Sequence, residues 1–114
     1  MSPQTDQFFE KTLKASATFL ARWRGADAEL WQLTYSHKSL TIVLRRKGEP
    51  GNLVIACIDP LRIHSPVRWM DADLAISRCP LPDEKEDGFM IVDKKADVEI
   101  VSGSVEVKEN VKLH

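Results

Sequence analysis

The sequence predicts an α+β domain in which one N-terminal amphipathic helix packs on a bent, mainly antiparallel sheet of about six strands. Apolar residues recur at helical spacing over the first 25 residues, and afterwards they alternate with polar residues as in strands. The chain has 114 residues, 43% of them hydrophobic, and no low-complexity or linker stretch divides it. A chain of this size buries about two-thirds of its unfolded surface, so residues 1–114 are expected to form a single domain.

The predicted helix covers residues 3–24. Its apolar side chains form one stripe, and its charged side chains lie on the opposite side. Pro3 suits the first helical turn, and Gly25 suits the stop after a basic last turn. We expect the stripe to cover one face of the sheet; it consists of Phe8, Phe9, Leu13, Phe19, Leu20 and Trp23.

Residues 28–59 are predicted to form a three-stranded meander. A four-residue loop at 36–39 would pair Leu33 with Ile42, and the next turn would align Ile42 with Ala56. These registers predict a face below the helix made of apolar and aromatic residues, namely Trp31, Leu33, Tyr35, Leu40, Ile42, Leu44, Val54, Ala56 and Ile58.

The same registers leave a second apolar patch on the reverse face of the meander. It consists of Val43, Leu53, Ile55 and Cys57. A strand that is apolar on both sides is normally covered twice, and an uncovered patch of this kind marks an interface. Either the C-terminal strands curl over it or a second copy of the protein does. We expect these residues to form a homodimer interface.

Residues 60–88 are predicted to be rich in loops. Asp59-Pro60 is expected to interrupt the third strand, which resumes over residues 61–64. The segment from Cys79 to Gly88 contains proline and glycine breakers and the acidic run 83–87, a composition typical of an exposed loop.

Two local questions stay open in the sequence. Residues 67–77 fit either a strand around Leu74-Ala75-Ile76, which we favour, or a short helix that begins at Asp71. Cys57 and Cys79 fit either a disulfide or two reduced thiols. The N-terminus lacks the pattern of a secretory signal, so we expect the cytosol and reduced thiols.

The C-terminal residues 89–108 are predicted to form three strands. A tight turn at Ser102-Gly103 would pair Ile100 with Val105, and it would set Glu99 opposite Glu106. A turn one residue later relieves that repulsion but loses an apolar pair. Because exposed charge repulsion is screened by solvent, we favour the first register.

Composition and motifs argue against several classes of function. A net charge of −1 gives no general attraction to nucleic acid, and no apolar run is long enough to cross a membrane. The basic residues Arg45-Arg46-Lys47 are only a weak indication of nucleic-acid binding. The histidines and cysteines lack zinc-site spacing, and no glycine-rich loop suits a phosphate. We therefore expect neither a metal nor a cofactor.

One stretch gathers side chains that could bind a ligand or act in catalysis. It contains a carboxylate, an imidazole, two guanidinium groups and an indole on a proline-rich loop, namely Asp59, Arg62, His64, Arg68 and Trp69. Here His64 would exchange a proton, an arginine would hold an anion, and Trp69 would stack on the ligand.

No assembled catalytic signature accompanies this stretch. The sequence therefore predicts, first, a non-enzymatic cytosolic module that acts through protein–protein packing as a homodimer or with another protein. The alternative is a small enzyme or small-molecule-binding domain with its site in the Asp59–Asp73 region.

Overall fold

One helix packs against a curled, antiparallel sheet of seven strands in this protein. The computed structural model describes residues 3–36, 38–81 and 86–112. Within these ranges the helix α1 spans Pro3–Arg22, and the strands are β1 (Asp27–Thr34), β2 (Ser39–Arg45), β3 (Asn52–His64), β4 (Arg68–Trp69), β5 (Ala75–Pro80), β6 (Asp87–Asp93) and β7 (Val98–Val111). Their order across the sheet is β4-β1-β2-β3-β7-β6-β5. The predicted α+β class is confirmed, with one strand more than expected.

The apolar stripe of α1 covers the core as predicted, except at one margin. Phe9, Leu20 and Trp23 are buried, and the Phe9 ring centroid lies 4.9 Å from that of Phe89 on β6. Phe8, at the margin of the stripe, stays 56% exposed. Within the part of the chain that the structure describes, no helix has the length and apolar character that a membrane span needs.

The structure corrects the predicted register between β2 and β3. Leu44 lies opposite Leu53 and Leu40 opposite Cys57, one residue away from the predicted pairs. Because successive side chains of a strand point to opposite faces, this slip brings Leu53, Ile55 and Cys57 to the helix side. All three are 0% exposed and belong to the main core.

The patch predicted on the reverse face is therefore covered within a single chain. Val43, the fourth residue of that patch, is also fully buried but lies outside the main core cluster. Its side chain is on the opposite face of β2 from Ile42 and Leu44, between Glu29 of β1 and Val54 of β3. Val43, Leu53, Ile55 and Cys57 therefore form no uncovered apolar patch in the described structure.

The register between β1 and β2 also differs from the prediction. Leu33 lies opposite Leu40, and an irregularity at Trp31 shifts the pairing so that Leu30 lies opposite Ile42. Trp31 and Leu33 are more than one-third exposed, and Tyr35 lies beyond the strand with 85% exposure. Residue 37, inside the predicted loop, falls outside the described ranges.

β3 runs through the predicted break at Asp59-Pro60. The pairing with β7 shifts between Pro60 and Arg62, and Asp59 has a φ of 57°. The Asp59 N–H donates a 2.7 Å hydrogen bond to the carbonyl of Lys38, next to the Ser39–Ile58 pair of β2 and β3. The bulge lies at Leu61, which is left out of the pairing with β7 directly after Pro60. Proline inside a sheet is typically found at such a bulge.

The predicted turn at Ser102-Gly103 is wrong, because β7 is one continuous strand. Residues 98–102 pair with β6, and residues 99–111 pair with β3. The buried Ser102 hydroxyl lies 2.7 Å from the carbonyl oxygen of Ile58 and 2.9 Å from that of Ser104. β7 therefore joins the meander to β5 and β6 in one sheet.

The remaining segments agree in part with the sequence predictions. The strand interpretation of residues 67–77 is confirmed, since β4 and the start of β5 lie there. Both cysteines are free. Of the predicted loop, residues 79–80 and 87–88 belong to β5 and β6, whereas residues 82–85 are outside the described ranges.

The register of β3 can be tested with two isoleucines on its opposite faces. Ile55→Ala removes a fully buried side chain and is expected to lower the free energy of unfolding by about 2–5 kcal/mol. Ile58→Ala removes a half-exposed side chain and is expected to cost less than about 1 kcal/mol. Urea unfolding of both variants measures the difference; equal costs, or a larger cost at Ile58, would contradict the register.

Candidate functional site

The residues predicted to bind a ligand do not come together at one site. Arg62 and His64 lie exposed near the end of β3, where Arg62 forms an ion pair with Glu99 (3.4 Å) and His64 Nε2 lies 3.0 Å from the carboxylate of Asp97. Asp59 is half-buried on the same strand, two residues before the bulge at Leu61. None of these three side chains lines the cleft that contains Arg68 and Trp69.

Arg68 and Trp69 share a cleft of about 440 Å³ at the β4 edge of the sheet. Glu29 lies between two arginines there, with its carboxylate 2.8 Å from Arg45 and 3.3 Å from Arg68. The Trp69 indole is buried, and its N–H donates a 3.0 Å hydrogen bond to the buried Asp93. Each group that could hold an anion or stack on a ligand is therefore already engaged within the chain.

A different candidate site is the unpaired edge of β7. β6 pairs with β7 only through residues 98–102, whereas β3 pairs with its other side up to residue 111. Among the described residues, no strand pairs with the second side of β7 from 103 to 111. Alternate backbone N–H and C=O groups along such an edge can hydrogen-bond to an added strand.

α1 and this edge enclose a groove of about 540 Å³. Its walls combine apolar side chains with a few polar ones: Phe8, Lys11, Thr12, Ala15, Ser16 and Phe19 from α1, and Ser104, Val105, Glu106 and Val107 from β7. The exposed Phe8 and the partly buried Phe19 both line the groove. We call this the α1/β7 groove.

Ion pairs attach both ends of α1 to the sheet. Glu109 of β7 accepts hydrogen bonds from Arg22 (2.6 and 3.1 Å) and from the Trp23 indole (2.9 Å). These bonds, first that from Arg22, lower the pKa of Glu109. At the other end, Arg78 of β5 donates a 2.9 Å bond to Asp6, which raises the pKa of Arg78.

No family model, curated protein or solved structure matches this chain. The described residues contain no cluster of three or more His, Cys, Asp or Glu side chains that could hold a metal ion. Part of the predicted basic patch serves the fold, since the Arg46 guanidinium donates to the carbonyls of Arg22 and Arg24 at the end of the helix. The α1/β7 groove is thus the site that the geometry favours.

The β7 edge was missed by sequence reasoning because of the turn predicted at Ser102-Gly103. That turn placed residues 104–108 as the partner of residues 97–101, whereas in the structure residues 104–108 pair with β3 and leave their other side unpaired. A signal was present in the sequence: Ser102 and Gly103 are flanked on both sides by strand-like alternation, which one long strand also explains.

The role assigned to Trp69 can be tested by mutation. Trp69→Phe keeps an aromatic ring but removes the donor to the buried Asp93, so we expect a loss of about 1–3 kcal/mol in the free energy of unfolding. Trp31→Phe is the matched control, since Trp31 is 41% exposed and is expected to cost less than about 1 kcal/mol. Equal effects in thermal or urea unfolding would contradict a structural role for Trp69.

The two thiols are expected to react at very different rates. Burial raises the pKa of Cys57 to about 12, whereas Cys79 is half-buried on β5. A thiol reagent at about pH 8 should therefore modify Cys79 in the folded protein and modify Cys57 only after unfolding. Mass spectrometry of the labelled peptides gives the rates, and labelling of folded Cys57 as fast as Cys79 would contradict its placement.

Proposed function

We propose that this protein is a non-enzymatic cytosolic module that binds a protein partner by strand addition. The partner strand would lie along residues 103–111 of β7 and fill the α1/β7 groove. The observation that carries the proposal is the coincidence of an unpaired strand edge with an apolar groove at the same place. In this mode of recognition, backbone hydrogen bonds supply affinity and alternate side chains supply specificity.

The charge of the chain supports recognition by packing. Its net charge is −1, so long-range attraction contributes little to association. The groove side of the edge presents Val105 and Val107, and the outer side presents Glu106 and Lys108. An added strand would therefore contact valine side chains on the groove side and one negative and one positive side chain on the outer side.

A small enzyme or small-molecule-binding domain in the Asp59–Asp73 region has less support. Only Arg68 and Trp69 of the predicted residues share a cleft, and both have partners within the chain. Arg24 likewise contacts Asp73 at 3.2 Å. The α1/β7 groove is therefore the better-supported binding site.

Photo-crosslinking from the groove tests the proposed function. A photoreactive phenylalanine analogue at position 8 should form a discrete protein adduct in cells where the protein occurs naturally. The added carboxylate of Ala15→Glu projects into the groove and should abolish the adduct. Ala17→Glu introduces the same charge at an exposed position of the helix that does not line the groove, and should preserve the adduct.

The same photoreactive group at the exposed Lys94 is the positional control, because Lys94 lies in the turn before β7. The proposed function is wrong if position 8 gives no adduct, if Lys94 gives the same adduct, or if Ala15→Glu leaves it unchanged.

A further inference from the structure

We infer that the partner strand is β7 of a second copy, so that two sheets join by antiparallel β7–β7 pairing across a two-fold axis. This inference rests on the proposed function and names the partner of the same groove. Three observations carry it: the lack of protection along the β7 edge, the pattern of charges on it, and the exposed apolar wall of α1.

The edges of the sheet differ in how well they are protected. β4 has only two residues, β1 beyond it is interrupted by the irregularity between Leu30 and Gln32, and β5 ends with Pro80. Each of these features hinders the addition of a strand. β7 instead presents a regular stretch from 104 to 108, without proline and with valine at alternate positions. A long edge of this kind invites pairing, and a two-fold pairing closes both copies' edges at once, whereas a head-to-tail contact leaves one open.

The two-fold axis restricts the possible registers. An axis perpendicular to the sheet keeps the helix side of both copies on the same face, so outer residues pair with outer residues. The outer residues of the regular stretch are Ser104, Glu106 and Lys108, because their partners on β3 face away from the helix. Val105 and Val107 face the helix side.

Charge selects one register among those that remain. An axis at Val107 sets Glu106 of each copy opposite Lys108 of the other, which forms two reciprocal ion pairs. An axis at Glu106 sets the two Glu106 carboxylates opposite each other, and an axis at Lys108 does the same with two ammonium groups. Directly opposed unlike charges stabilise antiparallel strands and like charges destabilise them, so the register centred on Val107 is favoured.

The position of the two charges in the single chain suits this register. Lys108 Nζ lies 3.5 Å from Glu106 Oε1, and both side chains are exposed by more than half. In the dimer these side chains would form a cluster of four alternating charges.

The two-fold axis also places the second α1 on the same face of the joined sheet. The exposed Phe8 rings of both copies therefore lie on one side of that sheet.

Charge reversal gives a direct test with a built-in rescue. Glu106→Lys leaves two lysines on the edge, and Lys108→Glu leaves two glutamates, so each variant repels its own copy. We expect each variant alone to have a dissociation constant at least about tenfold larger than that of the unmodified protein. An equimolar mixture of the two restores both ion pairs between unlike chains and should recover the dimer.

Sedimentation velocity over a range of concentrations measures the mass of the full chain, 12.9 kDa for the monomer. Lys94→Glu and Glu49→Lys change the charge by the same amount at exposed turns and should leave the dimer intact. Circular dichroism of every variant verifies folding. Both charge reversals are at exposed positions, and recovery of the dimer in the mixture additionally shows that the variants retain the fold.

Two results would overturn the inference. A monomer at high micromolar concentration excludes a second copy as the partner, while an adduct to a different protein at Phe8 would still support strand addition. A dimer that Glu106→Lys and Lys108→Glu leave unchanged excludes this edge and register. Absence of any adduct from position 8 would instead show that the proposed function itself is wrong.

Discussion

The shared strand β7 is the interaction on which the rest of the structure depends. Its residues 98–102 pair with β6 on one side while residues 99–111 pair with β3 on the other, so a single strand holds the two parts of the sheet together. The curled sheet then presents one apolar face to α1. Because β6 is shorter than β7, the same pairing that builds the sheet also leaves the edge at which we propose that a partner binds.

The helix turns this edge into a groove. Glu109, near the end of β7, accepts hydrogen bonds from Arg22 and Trp23, so the end of α1 is tied to the strand that carries the edge. Phe9 and Leu20 enter the core, whereas Phe8 and Phe19 turn toward the groove. One helix stripe thus serves folding along its centre and the proposed binding along its margin.

Periodicity was sufficient for the fold class but not for the strand registers. The helix follows from spacing, because it has one clearly apolar side, and the meander follows from the change to strand-like alternation after Gly25. β3 is apolar on both faces from Leu53 to Ile58, so either register buries apolar residues and the pattern cannot distinguish them. The bulges at Trp31 and Leu61 depend on contacts between distant strands, which local patterns do not contain.

The candidate site was harder to predict for the same reason. The side chains from Asp59 to Trp69 are close in sequence, but the strand that carries Arg62 and His64 is separated from β4 by β1 and β2 in the sheet. The unpaired edge of β7 exists because β6 ends before β7 does, and the length of one strand relative to another cannot be read from a single segment of sequence. The charges of Glu106 and Lys108 indicate a register only when the strand that would pair with them is known.

The most direct test of the central claim is isotope-filtered NMR on a mixture of labelled and unlabelled chains. Nuclear Overhauser effects between the two kinds of chain report only contacts across an interface. We expect such effects between the backbone protons of Glu106 in one copy and Lys108 in the other, and between the two Val107 residues. Intermolecular effects confined to other surfaces, or their absence at high micromolar concentration, would contradict it.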